Sequence, residues 1–204
     1  MITIIDYGLG NIRAFTNVYE RLNIKTKVAH TAKDIQGAEK IILPGVGAFD
    51  HAMSQLNQSG MRDELEKQVL IHKVPLVGIC VGMQILGKTS DEGVLPGLGW
   101  INGIVKKFDP NKITFKTQLP HMGWNTICPI KYNPLMKGFN SESKFYFLHS
   151  YYFICENPED VISTTEYGIK YASALNSENI FGIQFHPEKS HYNGIQLLHN
   201  FAKL

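Results

Sequence analysis

The run PLVGICVGMQIL, residues 75–86, decides the fold. From Pro75 to Cys80 it has the near-continuous apolar character of a strand buried on both faces, as a parallel sheet covered by helices on each side requires. It then passes, without a linker, into a helical pattern. Gly78, Cys80 and Gly82 therefore form G-x-C-x-G on a sharp turn from buried strand to helix, the cysteine form of a nucleophile elbow. A residue on such a turn takes strained dihedrals, and side chains two positions away would strike the adjacent strand or helix; the two glycines remove those collisions. Free amides and the helix dipole at that position favour thiolate, and the Val81 amide is placed to help hold an oxyanion. Taken alone, the short motif fits a small packed cysteine equally well.

Outward from this run, the first half alternates short apolar segments with helical patterns. ITIID begins at residue 2, a helix spans about Asn11 to Leu22, TKVAH and KIILPG follow, and a helical stretch extends to about His72. That alternation implies βαβ units. From about Leu98 the strand-like runs come closer together: GWINGIVKKF, KITFK, WNTICPI, KFYFLHSYYF, VISTTEYG, YASALN and FGIQF. The expected fold is α/β, an open and largely parallel sheet with helices on both faces and a β-rich, partly antiparallel C-terminal half. All of residues 1–204 read as one domain. A closing helix from about His191 to Lys203 carries Ile195, Leu198 and Phe201 at helical spacing, which should lay one apolar face on the sheet.

Apolar residues make up 44% of the 204 and charged residues 19%, a composition that excludes a disordered chain. The formal net charge of +2 is spread without a basic block, so nothing points to nucleic acid. MITIIDYGLGN reads as a strand running into a glycine turn rather than as a leader, and no later apolar run reaches membrane-spanning length; a cytoplasmic protein with no membrane contact is expected. Cys80, Cys128 and Cys155 contain no CxxC pair, which argues against a disulfide framework or a zinc site. Cys128 and Cys155 lie in strand-like runs with no glycines or base nearby, and packing is their expected role.

A cysteine nucleophile needs a base, and the base needs an acceptor that fixes its tautomer. FGIQFHPEKS, residues 181–190, supplies both. Phe181 to Phe185 read as a strand, and the step from His186 to Glu188 keeps imidazole and carboxylate near the strand end. Pro187 disfavours helix at His186 and so holds the ring extended. An arbitrary H-x-E is usually a surface histidine beside a solvated glutamate; the cysteine elbow is what gives this one weight. Other constellations fail. Gly8-Leu9-Gly10 lacks the third glycine of a dinucleotide loop because Arg13 stands there, so no cofactor is expected. His186 and His191 lack metal-ligand spacing, so no metal site is expected either.

GICVGMQIL together with QFHPEKS resembles the class I (triad) glutamine amidotransferases. Within them the chain is similar to the glutaminase subunits of imidazole glycerol phosphate synthase, through IIDYGLGNI, LPGVGAF at 43–49, PHMGWN at 120–125 and FLHSYY at 147–152. The resemblance covers essentially the whole chain. It implies a fold of that family and hydrolysis of glutamine by Cys80, His186 and Glu188. It also implies an oxyanion hole at Gly47 and Val81, the Val46–Gly47 peptide being free to turn between Gly45 and Gly47. Gly45, Gln84 and Glu92 would serve the substrate, as would His149, Ser150 and Tyr151, whose main chain lines the family's pocket. Asn11, Trp124 and Lys189 would lie toward a cyclase or synthase subunit that receives the ammonia as heterodimer partner. That partner would form imidazole glycerol phosphate and AICAR in histidine biosynthesis. A paralogous reading feeds a sugar-modifying amidotransferase of surface polysaccharide synthesis instead; it rests on the lysine-rich stretch Gly93–Pro120, which looks longer than expected. Pyridoxal phosphate synthase glutaminases would leave PHMGWN unexplained, and a non-catalytic relic would have been free to lose the triad.

Overall fold

A computed structural model describes residues 1–115 and 118–204. In chain order it contains β1 (Ile2–Ile5), α1 (Ile12–Arg21), β2 (Thr26–Ala29), α2 (Ala32–Ile35), β3 (Ile41–Gly45), α3 (Phe49–Gln58), α4 (Arg62–Glu66), β4 (Leu76–Cys80) and α5 (Val81–Gln84). There follow β5 (Thr89–Ser90), β6 (Gly103–Lys107), β7 (His121–Thr126), β8 (Cys128–Pro129), β9 (Lys144–His149), β10 (Tyr151–Cys155), β11 (Val161–Tyr167), β12 (Ile169–Ser177), β13 (Ile180–Ile183) and α6 (His191–Lys203).

The large sheet runs β2-β1-β3-β4-β13-β12-β10-β6-β5, with β11 paired to β12 and β8 paired to β11. Its first five strands are parallel. Every residue of β1, β3, β4 and β13 is buried, and because successive side chains point to opposite faces, both faces must be covered. Phe15 and Tyr19 of α1 and Leu197, Leu198 and Phe201 of α6 supply part of that cover, and the Tyr19 hydroxyl donates to the Leu198 carbonyl at 3.1 Å. On α3, Phe49, Ala52, Met53 and Leu56 are buried at helical spacing. The remaining strands from β12 onward are antiparallel to their neighbours, except for the β5–β6 pair. The α/β class and the division into a parallel first half and a partly antiparallel second half match the sequence reading.

One join decides everything that follows. β13, near the end of the chain, lies parallel to β4 with Ile183 opposite Ile79. The two strand ends are thus neighbours, with Cys80 closing β4 and His186 following β13. A second, two-stranded sheet of β7 and β9 then docks on this end through a bridge between Tyr146 and His186, whose amide donates to the Tyr146 carbonyl at 2.9 Å.

Several local expectations differ from the structure. The long helical stretch to His72 is broken: Gly60, with φ +69°, ends the first part, and Lys67–Ile71 closes α4 as a π turn. KITFK is not a strand over its described residues, because Pro110 pre-sets φ for a 3-10 turn over Pro110–Lys112; Lys116 lies outside the described residues. The strand read as Phe181–Phe185 stops at Ile183. Cys128 is exposed on the short β8 rather than packed, and Ile195 is only half-buried because α6 turns Gly194, Leu197 and Leu198 inward. Among the described residues no helix is long and apolar enough to cross a membrane.

Candidate active site

Cys80 sits at the tip of the elbow with φ 55° and ψ −112°, a left-handed conformation that a side-chain-bearing residue adopts only where its surroundings impose it. The imposing contacts are backbone against backbone. A Cβ on Gly82 would stand 2.0 Å from the Leu43 carbonyl oxygen, and one on Gly78 would stand 2.4 Å from the Gly82 oxygen. Gly45 closes the same joint, since its Cβ would meet the Gly82 nitrogen at 2.3 Å. The helix that follows is a single turn, Val81–Gln84, shorter than the pattern VGMQIL suggested. Its macrodipole is correspondingly small, so what this turn presents beside Cys80 is its first backbone amides rather than the field of a long helix.

His186 keeps the extended conformation that Pro187 favours, φ −101° and ψ 95°, and a 3-10 turn over Pro187–Lys189 folds Glu188 back beneath it. His186 Nδ1 lies 2.8 Å from Glu188 Oε1, with both side chains almost wholly buried. The other ring nitrogen is not engaged by Glu188, and His186 and Cys80 line the same cavity and interact electrostatically there. Burial pulls the His186 pKa down, but the hydrogen bonds to Cys80 and Glu188 and their charges outweigh it and carry it to about 10. The sequence-predicted trio is therefore one connected unit, and the ring is held in its charged form.

These groups border a cavity of about 300 Å³ lined by Val46, Gly47, Val81, Gln84, Glu92, Leu148, Ser150 and Tyr151, with Pro120 and Lys189 at its margin. Gly47, with φ +87° and no atom within 4 Å of where its Cβ would be, is open and turned; Gly45 lies beneath the elbow and does not line the cavity. Glu92 accepts from the Phe49 amide at 2.9 Å, yet burial, with some help from the charge of Asp50, raises its carboxyl above the usual range. Gln84 spends its amide nitrogen on the Tyr151 carbonyl and on Gln184 Oε1, at 3.1 and 3.0 Å. His149 also lines the cavity, with both ring nitrogens engaged. Its Nδ1 donates to the Tyr151 carbonyl at 2.7 Å, and its Nε2 lies 3.2 Å from both His121 Nδ1 and the Tyr171 hydroxyl. Burial holds His121 down to about 4, and burial together with His121 holds His149 down to about 3, so both rings are neutral near pH 7.

Of the residues expected toward a partner, Lys189 stands at the cavity margin with its Nζ 5.7 Å from the centre of the Tyr146 ring. Trp124 is 48% exposed and stacks on His191 at 5.1 Å. Asn11 does not reach the cavity; it caps α1, its side chain accepting from the Ala14 amide at 3.2 Å.

Three groups escaped the sequence reading. Gln184 is fully buried and donates to Cys80 Sγ at 3.8 Å. The Leu148 carbonyl lies 3.9 Å from the same sulfur, and the Tyr7 hydroxyl donates to the Pro44 carbonyl of β3 at 2.7 Å. Only Gln184 left a trace in the text: it is the lone polar residue in FGIQF, a run otherwise apolar enough to be buried, and a buried amide demands partners.

Comparison with known proteins gives the chain's family. The glutamine amidotransferase class-I family model matches residues 3–204. Curated relatives named imidazole glycerol phosphate synthase subunit HisH align end to end, with 100% of each chain covered. The one from Bdellovibrio bacteriovorus is 53% identical over 204 residues and the one from Leptospira borgpetersenii 50%. Among solved structures, a glutamine amidotransferase superposes with a TM-score of 0.74 at 19% identity, covering 99% of this chain and 97% of that one. PurLQS from Thermotoga maritima superposes at 0.73 and 16%, with the same coverages. This chain belongs to the class-I glutamine amidotransferase family, among the HisH subunits of imidazole glycerol phosphate synthase.

Proposed function

We propose that the whole chain acts as one glutaminase domain, hydrolysing glutamine to glutamate and ammonia with Cys80 as nucleophile, His186 as acid and base, and Glu188 as the acceptor that orients His186. The observation that carries this reading is the buried His186–Glu188 pair standing with Cys80 at the wall of one cavity of amino-acid size. The Cys80 thiolate attacks the side-chain amide carbon, and the oxyanion that forms is held by the amides of Val81 and Gly47. The charged His186 gives its proton to the departing ammonia, then takes one from water as the water attacks the thioester and releases glutamate. Glu188 stabilises the imidazolium throughout.

Substrate recognition follows from what each wall group has left to offer. Gln84 has both amide hydrogens engaged, so its oxygen remains as acceptor, and a half-buried carboxylate at Glu92 gains from a cation beside it. Together they suit the α-ammonium of glutamine. The main chain of Ser150 and Tyr151 meets the rest of the head group.

The ammonia passes to a cyclase subunit, bound as a heterodimer partner, that forms imidazole glycerol phosphate and AICAR in histidine biosynthesis in the cytoplasm. Exposed apolar side chains support a covered rim there: Val46 and Leu148 line the cavity, and Met122 pairs with Leu148 across the β7–β9 ribbon, two residues from the exposed Trp124. The stretch Gly93–Pro120, which suggested a polysaccharide-pathway paralogue, lies inside a match that runs end to end with the HisH relatives and does not set this chain apart from them. The test is glutamate release by the purified chain, alone and with an authentic cyclase subunit and its ribonucleotide ligand. Strong stimulation is expected, abolished by Cys80→Ala while ammonium-dependent synthesis by the complex survives. Full turnover by Cys80→Ala would sink the mechanism, and failure of the cyclase to stimulate would sink the partner.

A further inference from the structure

We propose that Gln184 is a hydrogen-bond donor to the nucleophile, and that its polarity is set by the backbone carbonyl of Tyr151 acting through Gln84. The inference rests on the reading of Cys80 as the nucleophile.

Gln184 follows directly on β13, is wholly buried, and has its own backbone amide tied to the Ser173 carbonyl at 2.9 Å. An amide side chain in that position must satisfy both ends or forfeit its place in the core. Its partners form a line. Gln84 Nε2 donates to the Tyr151 carbonyl at 3.1 Å and to Gln184 Oε1 at 3.0 Å, and Gln184 Nε2 donates to Cys80 Sγ at 3.8 Å. A backbone carbonyl can only accept, so Gln84 must turn its nitrogen to Tyr151. The same nitrogen meets Gln184, which must answer with its oxygen, and the Gln184 nitrogen is then left facing the sulfur. Reversing Gln84 would set two acceptors together; reversing Gln184 would set two donors together.

This donor matters because the sulfur has an opposing neighbour. The Leu148 carbonyl at 3.9 Å accepts from a thiol and repels a thiolate, whereas an N–H aimed at sulfur favours the thiolate, much the stronger acceptor. The other titratable groups around Cys80 are Tyr7 at the end of β1, His186 and Glu188 after β13, and Glu92, Tyr151 and Lys189 at the cavity. His186 is the proton carrier and leaves the sulfur to protonate ammonia. Gln184 cannot lose a proton, so its donation persists through both halves of the cycle.

The experiment is the pH dependence of Cys80 alkylation by iodoacetamide in the full chain, in a Cys128→Ser, Cys155→Ser background, because Cys128 is exposed and Cys155 partly so. Gln184→Glu keeps an oxygen for Gln84 and loses the donor; Gln184→Met loses both. In each the alkylation midpoint should rise by about one to two pH units. Glutamine turnover near pH 7 should fall roughly 10–100-fold, with KM little changed, as expected for a loss confined to the nucleophile. A folded Gln184→Glu chain with an unshifted midpoint overturns the proposal. Should neither variant fold, the side-chain amide resonance of Gln184 in the unsubstituted protein, labelled with [15N]glutamine, must follow Cys80 ionisation, and indifference to it overturns the proposal equally. Retained turnover in Cys80→Ala would instead remove the underlying reading, while leaving the alkylation midpoint and the resonance to report on the hydrogen bond itself.

Discussion

The two walls of the active site are built by different means. On the elbow side, β3, β4 and the turn at Cys80 meet backbone to backbone, with glycines at 45, 78 and 82 leaving no room for a side chain. On the opposite side, the ribbon of β7 and β9 holds the pocket wall through side chains: His121, His149 and Tyr171 in a buried hydrogen-bonded cluster, with His121 stacked on Phe147 and Tyr167 at 4.7 and 4.0 Å. Backbone packing fixes Cys80 with no adjustable part. A side-chain network can be retuned, and it carries protons. Gly47 belongs to neither scheme: it lines the cavity, turned and with open space where a side chain would be.

The sharpest way to break this contrast is Gly82→Ala. Its methyl would lie 2.0 Å from the Leu43 carbonyl oxygen, with no flexible side chain to yield, and a loss on the order of 4 kcal/mol or more is expected in a denaturant titration. Near-normal stability would mean that the elbow is adjustable after all. Gly47→Ala should behave oppositely. The methyl has open space, so the cost is confined to its positive φ, about 1–3 kcal/mol. Glutamine turnover in the complex should nevertheless fall about 10²–10³-fold if that peptide supplies an oxyanion donor; an unchanged kcat would remove Gly47 from the hole.

His121→Phe probes the other wall. Stacking on Phe147 and Tyr167 survives, the bonds to His149 and Tyr171 are lost, and a cost of about 1–2 kcal/mol at neutral pH is expected from thermal unfolding.

The effects of pH are spread over several units, and their signs differ between the walls. His121 and His149 are depressed to about 4 and 3, so the unfolded chain takes up protons first, and stability falls as pH drops from about 6.5 toward 4. His186 is raised to about 10, so its contribution is full below about 6.5 and is lost as pH rises through 10. Melting curves should therefore peak near neutrality, and His121→Phe should flatten only the acid limb. Flattening of the alkaline limb instead would show that the two walls are coupled.

How far the sequence could be read depends on how local each interaction is. The buried strand, the elbow, the two glycines of G-x-C-x-G and the His-Pro-Glu turn are set within a few residues, and each stands where its pattern placed it. The break at Gly60, the turn at Pro110 and the short α5 were misread because a helical or strand-like run of apolar residues does not record where its backbone bonds stop. Gly45 entered the site through the resemblance carried by LPGVGAF; its close approach to Gly82, at the joint beneath the elbow, is visible only in the structure.

By itself the sequence determined the α/β class and singled out Cys80, His186 and Glu188, since φ restrictions at glycine and proline and the periods of strand and helix act along the chain. Only the tertiary structure decided that β13 enters beside β4, so that His186 reaches Cys80, and that Gln84, Gln184 and Tyr151 lie in one line. Pairing and hydrogen bonding across a hundred residues depend on which faces meet when the core is buried, and a one-dimensional pattern holds no term for that.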